Sequence, residues 1–202
     1  VVAVALKKEK NSAARTINPG TYRFKRQMSA ADALAVMLDP MNRVESTITV
    51  LAGERMSVIK RRIVDVMDVS SADVDKAFAD TAAIGLPAEA GGSAEGWLHR
   101  GEYKVEEGDT PTAVIARMVK ATIDELDALG VPAADRETVL IKASIVEGEM
   151  GNNPKYMPKV ARVIENRLAD TNGETKGYLG MDSTVLYGVG KTSGVPDQAD
   201  LD

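Results

Sequence analysis

Three stretches of the chain repeat one plan, and this limits the fold more than any other feature. They are "YRFKRQMSAADALAVML" (22–38), "VLAGERMSVIKRRIV" (50–64) and "YKVEEGDTPTAVIARMV" (103–119). Each opens with a short β-prone run, turns, and reaches a Ser or Thr before an amphipathic helix. Ser29, Ser57 and Thr110 are suitable helix N-caps, because a side-chain oxygen can accept a free N–H of the first turn. Asp32 follows Ser29 by three residues, close to a capping box. Pro111 follows Thr110 at the first helical position, where its missing N–H costs nothing. Apolar residues then recur at helical spacing: Ala33, Leu34, Met37 and Leu38; Ile59, Ile63 and Met67; Val114, Met118, Ile123 and Leu126. These stripes read as core. The expectation is a set of small strand–helix units sharing one sheet.

Two breaks divide the chain. "LPAEAGGSAEG" (86–96) reads as a loop, and "ALGVPAADRE" (128–137) separates a helix ending near Leu129 from one starting near Asp135. From Asp135 to about Ala169 the pattern is mainly helical. A Gly-rich segment follows, with a β-prone centre at "STVLYGVG" (183–190). The fold class expected is α+β, with a domain boundary near residue 130.

Composition removes several kinds of chemistry. The 202 residues carry no cysteine and one histidine, His99. Disulfides, thiolate catalysis and multi-histidine metal sites are therefore excluded, and no metal or cofactor is expected. A Ser-His-Asp triad would have to use His99, yet no G-x-S-x-G elbow occurs; His99 reads as a structural or surface residue. No P-loop or dinucleotide fingerprint follows an expected strand. The net charge of −5 argues against sequence-independent nucleic-acid binding. The "KRR" at 60–62 reads as a helix's solvent face. No apolar run reaches the length of about 18 residues that a membrane span needs. The abrupt ends, "VVAVALKKEKN" and "DQADLD", suggest that an anchor or signal segment has been removed.

Carboxylates are then the expected workers, and "ASIVEGEMG" (143–151) holds two. Helical residues advance about 100° each. With Val139 at zero, Leu140 falls at about 100°, Ala143 at about 40°, Val146 at about 340° and Glu147 at about 80°. Glu147 thus shares an arc with apolar residues. Lys142, at about 300°, and Glu149, at about 280°, share the polar side by the same construction. Desolvation disfavours the charged form of a carboxyl group. A carboxylic acid that keeps its proton near neutral pH is what general-acid cleavage of a glycosidic bond requires. The alternative role for Glu147 is a structural ion pair with Arg162 or Arg167. Gly148 is a weak point in the helix, by roughly 1 kcal/mol relative to Ala. The next segment, "PKVARVIENRL" (158–168), offers Val160, Val163, Ile164 and Leu168 as an apolar face. Asn166 and Arg167 lie near its end, suited to a cleft or to the helix dipole.

"ASIVEGEMGNNPKYMPKVARVIENRL" followed by "LGMDSTVLYGVG" resembles the catalytic part of the endolytic peptidoglycan transglycosylases of the YceG-like (MltG) family. "INPGTYRF…MSAADAL", "DPMNRVESTITV" and "GLPAEAGGSAEGWL" resemble that family's preceding LysM-like region, so the likeness spans nearly all 202 residues. It implies a LysM-like region over 1–130 and a partial, C-terminally truncated, lysozyme-like catalytic domain over 131–202. It also implies cleavage of the β-1,4 bond between N-acetylmuramic acid and N-acetylglucosamine inside a glycan strand, leaving a 1,6-anhydro end. Glu147 falls on the family's catalytic glutamate, at the end of "ASIVE". Asn166 and Arg167 match its "NRL" element; Asp182, Thr184 and Tyr187 match its "D-x-T-V-x-Y-G" element, as substrate-binding or support residues. Asp182 is the one candidate for a second carboxylate. The implied partners are peptidoglycan strands and cell-wall synthases, at the extracytoplasmic face of a bacterial membrane through an N-terminal anchor. Three departures stand out: Gly148 where the family has Lys or Arg, "LGMD" for its "L-Q-T-D", and no counterpart of its later "Y-N-T-Y … G-L-P-P". Two other classes of function remain: a peptidoglycan-binding LysM-like module without catalysis, and a scaffold for cell-wall synthesis enzymes.

Overall fold

A computed structural model describes residues 17, 21–39, 42–44, 46–151, 153–191 and 194–201. The opening run, residues 1–11, lies outside the described residues, as does Asn152. The class is α+β. Strand β1 (Thr21–Tyr22), helix α1 (Ala30–Leu38) and strand β2 (Arg43–Val44) come first. Strand β3 (Thr47–Val50), α2 (Met56–Met67), α3 (Ser71–Ala79), β4 (Gly101–Lys104) and α4 (Pro111–Ala128) follow. The remainder is helical: α5 (Arg136–Glu149), α6 (Met157–Ala169), α7 (Asp182–Gly188) and the short α8 (Gln198–Leu201).

The strands do not share one sheet. β1 pairs antiparallel with β2, and β3 pairs antiparallel with β4, as two separate ribbons. The second ribbon aligns Thr47 with Lys104 and Val50 with Gly101. A two-stranded ribbon needs an apolar partner to persist in water. Here Ile48 and Val50 point inward, with Thr47 and Thr49 only half-buried between them. Two helices lie between the paired strands, which makes a strand–helix–helix–strand unit. Its core joins Ile48 and Val50 to Ile59 and Ile63 of α2, Val74 and Phe78 of α3, and Val114, Ile115, Met118 and Val119 of α4. The α2 and α4 stripes read from the sequence therefore do become core, with Leu126 buried on α4 as well; of the α1 stripe only Leu34 is buried, and Ala33, Met37 and Leu38 are half-buried.

Capping explains two of the three helix starts. The Ser29 hydroxyl accepts from the Asp32 amide and Thr110 Oγ1 from the Ala113 amide. Ser57 does not cap. Helix α2 begins two residues earlier than a Ser57 cap would start it, at Met56, whose N–H donates instead to Glu95 Oε2 at 3.1 Å. A distant carboxylate thus takes the task that the local pattern assigned to Ser57. Arg62 of the "KRR" run is also not on the solvent face; it is held against Glu54. Residues 183–190 form no strand: Asp182–Gly188 is helix. Short apolar runs fit either period, and packing decides between them.

The chain on either side of residue 130 meets through a second apolar cluster. Trp97, fully buried, packs with Ala90 and Leu126, and Val131, Val139 and Leu140 lie against them. The Trp97 indole N–H donates to Glu137 Oε2 at 2.7 Å, and the buried Thr122 hydroxyl donates to the Trp97 carbonyl at 2.8 Å. Arg136 spans the same junction, donating to Glu89 at 3.3 Å and to Asp127. The start of α5 is therefore fixed on the preceding part of the chain by both packing and charge. Trp97→Phe keeps an aromatic ring but removes the indole donor, and should lower unfolding free energy by about 1–3 kcal/mol. Removing the exposed Leu129 side chain (70 % accessible) should change it by less than about 0.5 kcal/mol. Denaturant titration of both variants checks the contrast.

Candidate active site

Glu147 lies near the C-terminal end of α5 and is half-buried. The wheel's apolar arc is only partly covered. Val139 and Leu140 pack on the Trp97 cluster, but Ala143 is exposed and no α5 residue is fully buried. Glu147 is therefore at the rim of an interface. No ion pair holds it among the described residues. Arg167 donates instead to the carbonyls of Leu179 and Gly180, and Lys142 pairs with Glu165 of α6 at 2.7 Å rather than meeting Glu149. Glu149 is exposed.

What faces Glu147 comes from far away in sequence. Gly53, in the turn between β3 and α2, sits so close that a Cβ built on it would lie 3.5 Å from Glu147 Oε2. Its φ of +71° is a left-handed conformation that glycine adopts freely. Beside Glu147, Gly148 meets α7: a Cβ there would lie 3.4 Å from Ser183 Cβ. That is ordinary van der Waals distance for a Cβ, and Gly148 is exposed, so the contact with α7 does not by itself require glycine there.

The turn that carries Gly53 is pinned. Arg62 donates through both terminal nitrogens to Glu54, at 2.5 and 2.6 Å, and also to the Thr49 carbonyl. Glu54 Oε2 accepts the Leu51 N–H at 2.9 Å. Bidentate arginine–carboxylate pairs are directional as well as strong. The Arg62 hydrogen bonds hold the Glu54 carboxyl below its ordinary 4.5, against a smaller opposing effect of burial. The next residue, Arg55, extends to the C-terminal helices. Its guanidinium carbon lies 4.8 Å from the Tyr187 ring centroid, and Nη2 donates to the Lys191 carbonyl at 2.6 Å.

The remaining expected residues divide by role. Arg167 anchors the segment leading into α7, and Thr175 Oγ1 lies 3.0 Å from the Arg167 carbonyl in the same turn. Thr184 Oγ1 donates to the Met181 carbonyl at 2.7 Å, which closes the first turn of α7. Asp182 is exposed at the start of α7, where a carboxylate favours the helix dipole. Tyr187 is exposed beneath Arg55. Asn166 is exposed on α6, with no side-chain hydrogen bond among the described residues. Of the expected α6 face, Ile164 is fully buried, while Val163 and Leu168 remain 40 % and 38 % accessible. His99 pairs with Glu125 of α4 at 2.6 Å. Gly53 and Arg55 were not legible as site residues, because their partners lie far along the chain. Among the described residues no group of three His, Asp or Glu gathers as a metal site, and no helix is long and apolar enough to cross a membrane.

A lowered carboxyl pKa gives stability above the unfolded pKa that is lost as pH falls through the folded one. The Gly53 turn should thus loosen in acid. The thermal midpoint should drop between about pH 6 and about pH 3, and Glu54→Gln should flatten part of that slope. Calorimetry across that range checks it.

The family model described as the YceG-like family matches residues 1–202. Among solved structures, the 2.6 Å crystal structure titled as the putative yceG-like protein lmo1499 from Listeria monocytogenes is similar to this chain. The TM-score is 0.67 at 20 % identity, with 100 % of this chain and 70 % of that one covered, a likeness of fold. No curated protein matches the chain. With its whole length matched by the family model, the chain belongs to the YceG-like family.

Proposed function

We propose that this protein is an endolytic lytic transglycosylase of peptidoglycan, with Glu147 as its acid and base. The observation that carries the reading is the state of Glu147: a half-buried carboxyl without an ion-pair partner among the described residues, facing a glycine turn. Membership of the YceG-like family supports peptidoglycan as the substrate class. Protonated Glu147 gives its proton to the glycosidic oxygen, and the bond from that oxygen to muramic C1 breaks. The bonding pair stays on the oxygen, which leaves as the 4-hydroxyl of N-acetylglucosamine. The 2-acetamido group steadies the positive charge developing at C1. The C6 hydroxyl of the same sugar then attacks C1 and returns its proton to the Glu147 carboxylate. A 1,6-anhydro end forms, the acid is restored and no water is consumed. A single carboxyl is sufficient, whereas ordinary retaining and inverting hydrolases use a pair at a set spacing.

The strand–helix–helix–strand unit supports reading 1–130 as LysM-like, with 131–202 as the lysozyme-like catalytic part. Asn166, Asp182 and Tyr187, all exposed, are the proposed glycan contacts; Arg167 and Thr184 support the segment that carries α7. The proposed location is the extracytoplasmic face of a bacterial membrane, through an N-terminal anchor, with peptidoglycan strands and cell-wall synthases as partners. Glu147→Gln preserves shape but cannot supply the proton. Release of anhydro-ended fragments should fall by at least about 10²–10⁴-fold, with melting temperature and glycan binding unchanged. Parental release by this variant would refute the assignment. Binding by the parent without cleavage would favour a LysM-like binding module.

A further inference from the structure

We infer that the turn Leu51–Arg55 is one wall of the Glu147 site, and that Arg55 is the positioning residue that holds this wall against the C-terminal helices. The inference rests on Glu147 being the glycan-cleaving acid. Three independent features support it. The turn comes within contact distance of the carboxyl, since the Cβ position of Gly53 is 3.5 Å from Oε2 and 3.7 Å from Cδ. It is rigid on its own side, because Arg62 ties Glu54 to the Thr49 carbonyl while Glu54 takes the Leu51 N–H. It is fastened on the far side by Arg55, which covers one face of Tyr187 and binds the Lys191 carbonyl.

These contacts assign different work to neighbouring residues. Gly53 sets the clearance above the carboxyl. A side chain there would stand between Glu147 and any sugar approaching from that side, and would strain a backbone at φ +71°. Glu54 faces inward and fixes the shape of the turn. Arg55 faces outward and fixes its position. A planar guanidinium stacks on an aromatic ring and donates to a carbonyl at once, a combination that lysine reproduces poorly. Removing Arg55 would leave Glu147 chemically intact but free the wall and the α7–α8 segment from each other. The LysM-like region is then part of the cleavage site as well as any binding surface it carries.

The test uses full-length protein and soluble glycan strands freed of stem peptides, with Arg55→Ala, Arg55→Lys and Gly53→Val compared with the parent. Turnover is resolved into kcat and KM. Binding is measured by calorimetry in the Glu147→Gln background, where no cleavage interferes. Arg55→Ala should lower kcat/KM by about 10–100-fold, a loss typical of a mispositioned site. Its melting temperature should stay near that of the parent, because an exposed contact contributes little to stability. Arg55→Lys should recover only part of the loss. In the Glu147→Gln background, Arg55→Ala and Gly53→Val should each weaken strand binding by about tenfold, or about 1.4 kcal/mol. Parental binding by both double variants would overturn the wall, as would a parent chain that binds no glycan strand. Full activity of Glu147→Gln with weakened binding in the double variants would instead reject the acid assignment and keep the wall.

Discussion

The Arg62 guanidinium, clasping Glu54 and the Thr49 carbonyl, is the interaction on which the geometry around Glu147 depends. It joins the end of β3 to α2 and gives the turn between them a fixed shape. From that shape follow the approach of Gly53 to Glu147 and the reach of Arg55 to Tyr187. Arg62 is itself placed by α2, whose Ile59 and Ile63 are buried in the core on the adjoining face. Hydrophobic packing thus orients the helix, the helix aims the arginine, and the arginine shapes the turn that faces the carboxyl.

A second constraint acts at the other end of α5. Val139 and Leu140, half-buried, pack on Trp97 and Leu126, while Trp97 and Arg136 engage Glu137, Glu89 and Asp127. This clamps the start of the helix. Glu147 lies roughly two to three turns further on, where covering side chains thin out. The carboxyl is then on a well-placed element yet remains accessible. Sites built on rigid elements hold geometry better than sites on loops. Gly148, the next residue, lies where α5 meets α7 at Ser183.

Much of the framework was legible locally. Ser29 and Thr110 cap as their patterns suggest, and the stripes of α2 and α4 become core, because capping and amphipathicity are encoded within a few residues. What was not legible depends on distant partners. Glu95 supplies the acceptor that displaces Ser57 as the cap of α2. Thr184, Val185 and Tyr187 favour strand by type, yet α7 is helix once Thr184 bonds Met181 and Leu186 is buried. The strand-start segments separate into two ribbons, because pairing is a long-range choice. The helical wheel and the family likeness both point to Glu147. Its facing wall was invisible to both, since no local pattern in "LAGER" announces contacts with Glu147, Tyr187 and Lys191.

The central claim is that one carboxyl performs both proton transfers and that the sugar's own C6 hydroxyl replaces water. Mass spectrometry of fragments released from polymeric peptidoglycan by the full-length protein tests it most directly. The account predicts internal cleavage with muramic ends one water lighter than free reducing ends. Fragments that carry only reducing ends would contradict it, because they require an attacking water and a different division of labour around Glu147.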